Sequence, residues 1–202
     1  MKLYYAPGAC SLSPHIALRE AGLAFEPVLA DLKAHQLAGG TDYYTINSKG
    51  QVPVLELDNG ERLTEGPAIV QYIADQVPAK NLAPANGTMA RYRMQEWLNF
   101  ITSELHKGLG TMFNPAMPED GKAVARARAG ARLKWVDEQL EGKHYLLGDA
   151  FSVADAYLFT VTNWTAHTGN DISGLKNLGA FQARMAARPA VQAALKAEGL
   201  IK

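Results

Sequence analysis

Residues 2–22, KLYYAPGACSLSPHIALREAG, decide the fold. Lys2–Tyr5 is a short β-prone run that Pro7-Gly8 stops. Ser11 and Ser13 offer N-caps, Pro14 suits a first helical turn, and residues 15–21 read as a helix closed by Gly22. A strand, a turn carrying the chain's one cysteine, and a helix thus follow within about twenty residues. Working outward, residues 25–32 read as a second strand. Residues 52–57 and 61–63 flank Asp58-Asn59-Gly60, a turn signal that joins two antiparallel strands. After Thr64-Glu65-Gly66-Pro67, the apolar positions Ile69, Val70, Ile73 and Val77 keep the 3.6-residue period of a helix. The order is βαβ, a loop, then ββα.

Beyond this the grammar changes. Residues 81–87 (NLAPANG) carry Pro, Asn and Gly with no apolar period, as a linker does. No later run reads as a strand. Residues 88–109 predict one long helix with Met94, Trp97/Leu98, Ile101 and Leu105 on its core side. Further helices are predicted over 123–140, 152–165, 175–187 and 191–197, the last starting at Pro189. The expected fold class is therefore α/β plus all-α: a small α/β domain over residues 1–80, a linker at 81–86, and an all-helical domain over 87–202.

The 202 residues carry 20 basic and 20 acidic side chains. A net charge of zero argues against a nucleic-acid partner, which needs a basic surface, and against charge-driven binding to anionic lipid. One cysteine makes neither an internal disulfide nor a multi-cysteine zinc site, which points to a reducing, cytoplasmic setting. Only Leu3 to Ala6 separate Lys2 from Pro7, too short an apolar run for an export signal. The longest uncharged segment, 156–170, is too short and too polar for a membrane span. There is no GxGxxG, no P-loop and no HxxxH pair, so neither nucleotide nor metal is expected.

Five places could carry chemistry. Cys10 lies where a strand ends and a helix begins, and the positive end of a helix favours a thiolate; a lone buried cysteine is equally often inert. With Ser13 where a CxxC motif would need its second thiol, a self-contained dithiol cycle is excluded. Pro53 interrupts a strand and so belongs at an edge or in a special turn, where the Val52 backbone could pair with an extended peptide. Glu65-Gly66 precedes a helix N-terminus: its N–H groups suit a carboxylate and the Glu65 side chain suits an ammonium, unless Glu65 is simply a cap. Gln95, Asn99, Ser103 and His106 share one polar face of the long helix, either solvated or lining a cleft. Ser152 and Asp155, after Phe151, form a capping box with a hydrophobic staple, a folding signal worth about 1 kcal/mol for the cap.

Together the segments at 2–22, 47–75 (NSKGQVPVLELDNGERLTEGPAIVQYIAD), 97–108 (WLNFITSELHKG) and 151–159 (FSVADAYLF) resemble the bacterial glutathione S-transferases of the beta class, in which the cysteine of PGACS is a distinguishing mark. The resemblance spans the chain. It implies a thioredoxin-like N-terminal domain, an all-helical C-terminal domain, glutathione as co-substrate in the cleft between them, a small apolar electrophile as second substrate, and a homodimer. It further implies a cis bond before Pro53, with Val52 pairing to the glutathione cysteinyl backbone. Glu65 and the Gly66 amide would hold the γ-glutamyl end, and His35 would stand near the glycyl carboxylate. Cys10 and His106, with Lys107 nearby, would face the sulfur, while Asn99, Ser103 and Glu104 would complete the site, some across the dimer.

Two departures weaken the expected grip on glutathione. Gly66 replaces the Ser or Thr common in the family, which removes a hydroxyl hydrogen bond worth about 0.5–1.5 kcal/mol. His35 stands where relatives often have Lys. A thiol of pKa about 8.5 is only about 3% thiolate at pH 7; lowering it by about two units takes about 2.7 kcal/mol. The Cys10 region, the Ser11 hydroxyl and His106 are expected to supply that stabilisation. Met112, Phe113 and Trp164 are possible second-substrate contacts, with core packing as the alternative for each. The rival readings are a thiol-transferase with Cys10 as nucleophile, glutathione-dependent dehalogenation, and a non-enzymatic binding protein of the same fold.

Overall fold

The computed structural model describes residues 1–202 as two compact units, 1–83 with 188–202, and 84–187. In the first unit, β1 (Lys2–Tyr5), α1 (Leu12–Ala21), β2 (Glu26–Asp31), β3 (Gln36–Leu37), β4 (Val54–Glu56), β5 (Arg62–Thr64) and α2 (Gly66–Gln76) follow one another. The sheet order is β3-β2-β1-β4-β5, with β1 and β2 parallel and every other pair antiparallel. Side chains alternate across it as the pleat requires. Leu3 sits opposite Leu55, both fully buried, whereas Tyr4 and its partner Val54 join Ala30, Tyr43 and Val52 in a separate cluster.

Three expectations shift here. β3 went unread because it is two residues long and begins with an exposed Gln36. Residues 52 and 53 lie outside β4, where the Val52-Pro53 bond is cis. The last helix, α9 (Pro189–Ala197), expected within a domain spanning 87–202, packs on α1 of the first unit. Behind α9, the buried Glu198 carboxylate accepts from Gly8 N (2.9 Å) and from His15 Nδ1 (2.8 Å), while Arg19 Nε donates to His15 Nε2 (3.0 Å). With Nε2 accepting, His15 is neutral and its one N–H faces the carboxylate. Glu198 thereby secures the loop that carries Cys10.

The second unit holds α3 (Met89–Phe100), a π-helical stretch over Ile101–His106, α4 (Lys107–Gly110), α5 (Glu119–Gln139), α6 (Val153–Thr162), α7 (Thr165–Thr168) and α8 (Lys176–Ala186). All ten residues of α6 are buried, and its threonines satisfy their hydroxyls on the helix itself, Thr160 Oγ1 donating to Ala156 O (2.8 Å) and Thr162 Oγ1 to Leu158 O (2.7 Å). Asp155 reaches back to Ser152 N at 2.7 Å, and the capping box read from the sequence is present. Met94, Leu98, Ile101 and Leu105 are buried as expected, but Trp97 is only half-buried, against the rings of Phe100 (5.7 Å) and Trp135 (5.4 Å).

Candidate active site

Cys10 lies in the turn that leads into α1, and its thiol donates to the carbonyl of Val52 at 3.2 Å. Two influences oppose each other there. The N-terminal end of α1 favours a thiolate, while a carbonyl acceptor favours the protonated thiol. Ser11 departs from expectation. Its hydroxyl is fully buried, accepts from Ala6 N (3.1 Å) and donates its only proton to Ala6 O (3.2 Å). It braces the turn before Cys10 and has no proton left for a sulfur.

The residues preceding Val52 are fixed by a small polar cluster. Gln51 O accepts from Tyr43 Oη (3.1 Å) and Asn47 Nδ2 (2.7 Å). Burial pushes the Tyr43 phenol well above its ordinary value, so it stays a donor. His35 has a left-handed backbone (φ 53°), stacks on Tyr44 at 4.6 Å, and keeps Nδ1 buried without a partner. The space over Gly50 is filled by these same rings: a Cβ there would come within 2.7 Å of Tyr44 Cε1.

Glu65 caps α2 by position but not by side chain, which removes the cap reading. Its carboxylate pairs with Lys49 Nζ, which also donates to Thr64 Oγ1 (3.0 Å). Both ends of that ion pair are exposed, so it is worth at most about 1 kcal/mol. The Glu65 backbone sits at φ 68°, a conformation costly for any residue with a Cβ. Gly66 opens α2, where N–H groups have no partner within the helix, and a Cβ on it would meet nothing within 4 Å.

In the second unit, His106 Nδ1 is 2.6 Å from the hydroxyl of Tyr157, and its ring lies edge-on to Trp164 at 4.9 Å. Phe113, exposed rather than packed in the core, meets Trp164 at 5.7 Å, and Met112 is half-buried. Trp164 is buried, as the core reading has it. Asn99 and Ser103 are exposed, and Ser103 bonds back to Asn99 O (3.1 Å). His106 does not share their face. The wider i→i+5 winding of Ile101–His106 turns it toward α6, which a straight α-helical projection misses. Lys107 is exposed. Glu104 is held by two arginines. Arg132 Nε (2.8 Å) and Arg128 Nη2 (3.2 Å) of the same chain hold its carboxylate and keep it below its ordinary pKa. Nowhere do three His, Cys, Asp or Glu side chains gather as a metal would require, and no helix is long and apolar enough to cross a membrane.

A mixed five-stranded sheet with a cysteine at the head of its first helix, followed by an all-helical unit, defines the thioredoxin-like, glutathione-transferase class of fold. Residues 1–75 match the family described as Glutathione S-transferase, N-terminal domain, and residues 100–189 match Glutathione S-transferase, C-terminal domain. The chain is 50% identical, over 99% of its length and all of the relative's, to Glutathione S-transferase GstA of Escherichia coli O157:H7. The structure of BphK, a bacterial GST in a ternary complex, superposes with a TM-score of 0.97 at 59% identity, covering 98% of this chain and all of that one. A sphingomonad glutathione S-transferase complexed with glutathione gives 0.96 at 50% identity over the full length of both. This chain belongs to the glutathione S-transferase family, and its near relatives include bacterial beta-class enzymes, as PGACS implied.

Proposed function

We propose that this enzyme binds glutathione along Val52-Pro53 and joins its sulfur to a small apolar electrophile. The observation that carries the reading is the 3.2 Å contact between Cys10 Sγ and Val52 O. It sets a thiol beside a backbone segment suited to pairing with a cysteinyl peptide. Glu65 and the Gly66 N–H take the ammonium and carboxylate of the γ-glutamyl end, and His35 lies toward the glycyl end. His106, with Lys107 nearby, stabilises the glutathione thiolate. Phe113, exposed and backed by the buried Trp164 ring, offers the electrophile an apolar wall. The protein acts in the cytoplasm as a homodimer in which Asn99 and Ser103 complete the site.

The Val52 carbonyl favours a protonated Cys10, which supports conjugation over a thiol-transferase that uses Cys10 as its nucleophile. Cys10→Ala separates the two. Conjugation of glutathione to an aryl halide is expected to fall less than tenfold in kcat/KM, whereas loss of that activity together with disulfide reduction would establish the thiol-transferase. Gly66→Ser tests the γ-glutamyl subsite from the other direction. The open space at Gly66 admits the hydroxyl, and one added hydrogen bond of about 0.5–1.5 kcal/mol is expected to lower the KM for glutathione about 2–10-fold in initial-rate measurements.

A further inference from the structure

The geometry points to Tyr157 as a positioning residue for His106, one that fixes which ring nitrogen carries the proton. This rests on the proposed role of His106 and adds what makes that role possible. Three hydroxyl and ring atoms form a chain within the second unit. Thr102 Oγ1 lies 2.8 Å from Leu98 O and 3.3 Å from Tyr157 Oη, and Tyr157 Oη lies 2.6 Å from His106 Nδ1. A carbonyl only accepts, so the single Thr102 proton goes to Leu98 O, leaving Thr102 an acceptor toward Tyr157. The phenol then has two acceptors, and the His106 nitrogen is closer by 0.7 Å. Tyr157 therefore donates to Nδ1, and the neutral imidazole carries its own N–H on Nε2.

That tautomer makes His106 a donor at Nε2, the form that stabilises an anionic sulfur. The reverse tautomer would present a lone pair and repel it. Burial holds the arrangement in place: Tyr157 is 2% exposed and its ring meets the His106 ring edge-on at 5.8 Å. The π-helical winding of Ile101–His106 brings the histidine to Tyr157, and such windings recur where a side chain must be re-aimed for function. If His106 takes up a proton, Nδ1 also becomes a donor, and the phenol turns its proton to Thr102. Thr102 thus gives the pair a second satisfied state.

Tyr157→Phe keeps the ring and removes only the hydroxyl. The expected result is a fall of about tenfold in kcat for conjugation with the KM for glutathione unchanged, and no further loss when the change is added to His106→Gln. The 15N spectrum of histidine-labelled protein, assigned by the signal lost in His106→Gln, should show the Nε2–H tautomer in the parent and a mixture in Tyr157→Phe. Thr102→Val, which removes the Thr102 acceptor and leaves the bond to Nδ1 in place, should keep the parent pattern and provides a second readout if Tyr157→Phe folds poorly. An unchanged 15N pattern in Tyr157→Phe overturns the proposal. Should His106→Gln leave kcat intact, the role of His106 in the reaction fails, and the 15N pattern alone decides whether Tyr157 sets the tautomer.

Discussion

Replacing Asp155 with Ala is expected to lower stability by about 4 kcal/mol, because two backbone N–H groups lose their acceptor inside the protein. Leu146 N donates to Oδ1 at 2.8 Å, and Ser152 N and Oγ donate to Oδ2 at 2.7 and 2.8 Å. The serine hydroxyl can rotate to another acceptor; the backbone groups cannot. In a chain of this length the melting temperature should drop by about 8–16 °C, measured by calorimetry. Asp155 also gives stability a pH dependence. Burial raises its pKa from 3.8 to about 6, outweighing the hydrogen bonds that favour the carboxylate. A carboxyl whose folded pKa lies above its unfolded value contributes most in acid and loses that contribution as pH rises through 6. Relative to Asp155→Asn, which has no charge to bury, the parent should gain about 1 kcal/mol between pH 7 and pH 5 in urea denaturation.

The second large effect is expected on binding, at Glu65. If its carboxylate holds the glutathione ammonium, a charge-assisted hydrogen bond worth about 1.5–3 kcal/mol is lost in Glu65→Ala, and the KM for glutathione should rise about 10–100-fold. The Lys49 pairing is too exposed to offset this, so stability should hardly change. Glu65→Gly sharpens the test, since φ 68° suits glycine and strains any other residue. That variant should lose affinity while gaining about 1 kcal/mol of stability. A glycine variant that binds glutathione like the parent would remove Glu65 from the site.

What the sequence disclosed follows the range over which each signal acts. The strand–turn–helix around Cys10, the Asp58-Asn59-Gly60 hairpin and the Ser152–Asp155 box are written in neighbouring residues, and each could be read directly. Cys10, Val52, Glu65 and Gly66, proposed here to hold glutathione, stand out in the sequence because each sits at a local irregularity: a helix start, a strand proline, a helix entry. Signals that need distant partners stayed hidden. The Ser11 hydroxyl is committed to Ala6, two arginines of α5 hold Glu104, and neither partner is visible from the neighbouring residues. Tyr157 went unnoticed within a helix read only for folding, since its partner His106 is 51 residues away and turned toward it by a winding no periodicity announces.

The bond between Gly8 and Glu198 spans 190 residues and so also sets an order of events. During synthesis at roughly 5–20 residues per second, the Cys10 loop emerges about 10–40 s before the carboxylate that secures it is made. Helix α1 waits equally long for the packing that α9 supplies. Through that interval the nascent chain displays its one thiol on a loop without its final anchor, and the unit translated first is the last to be completed.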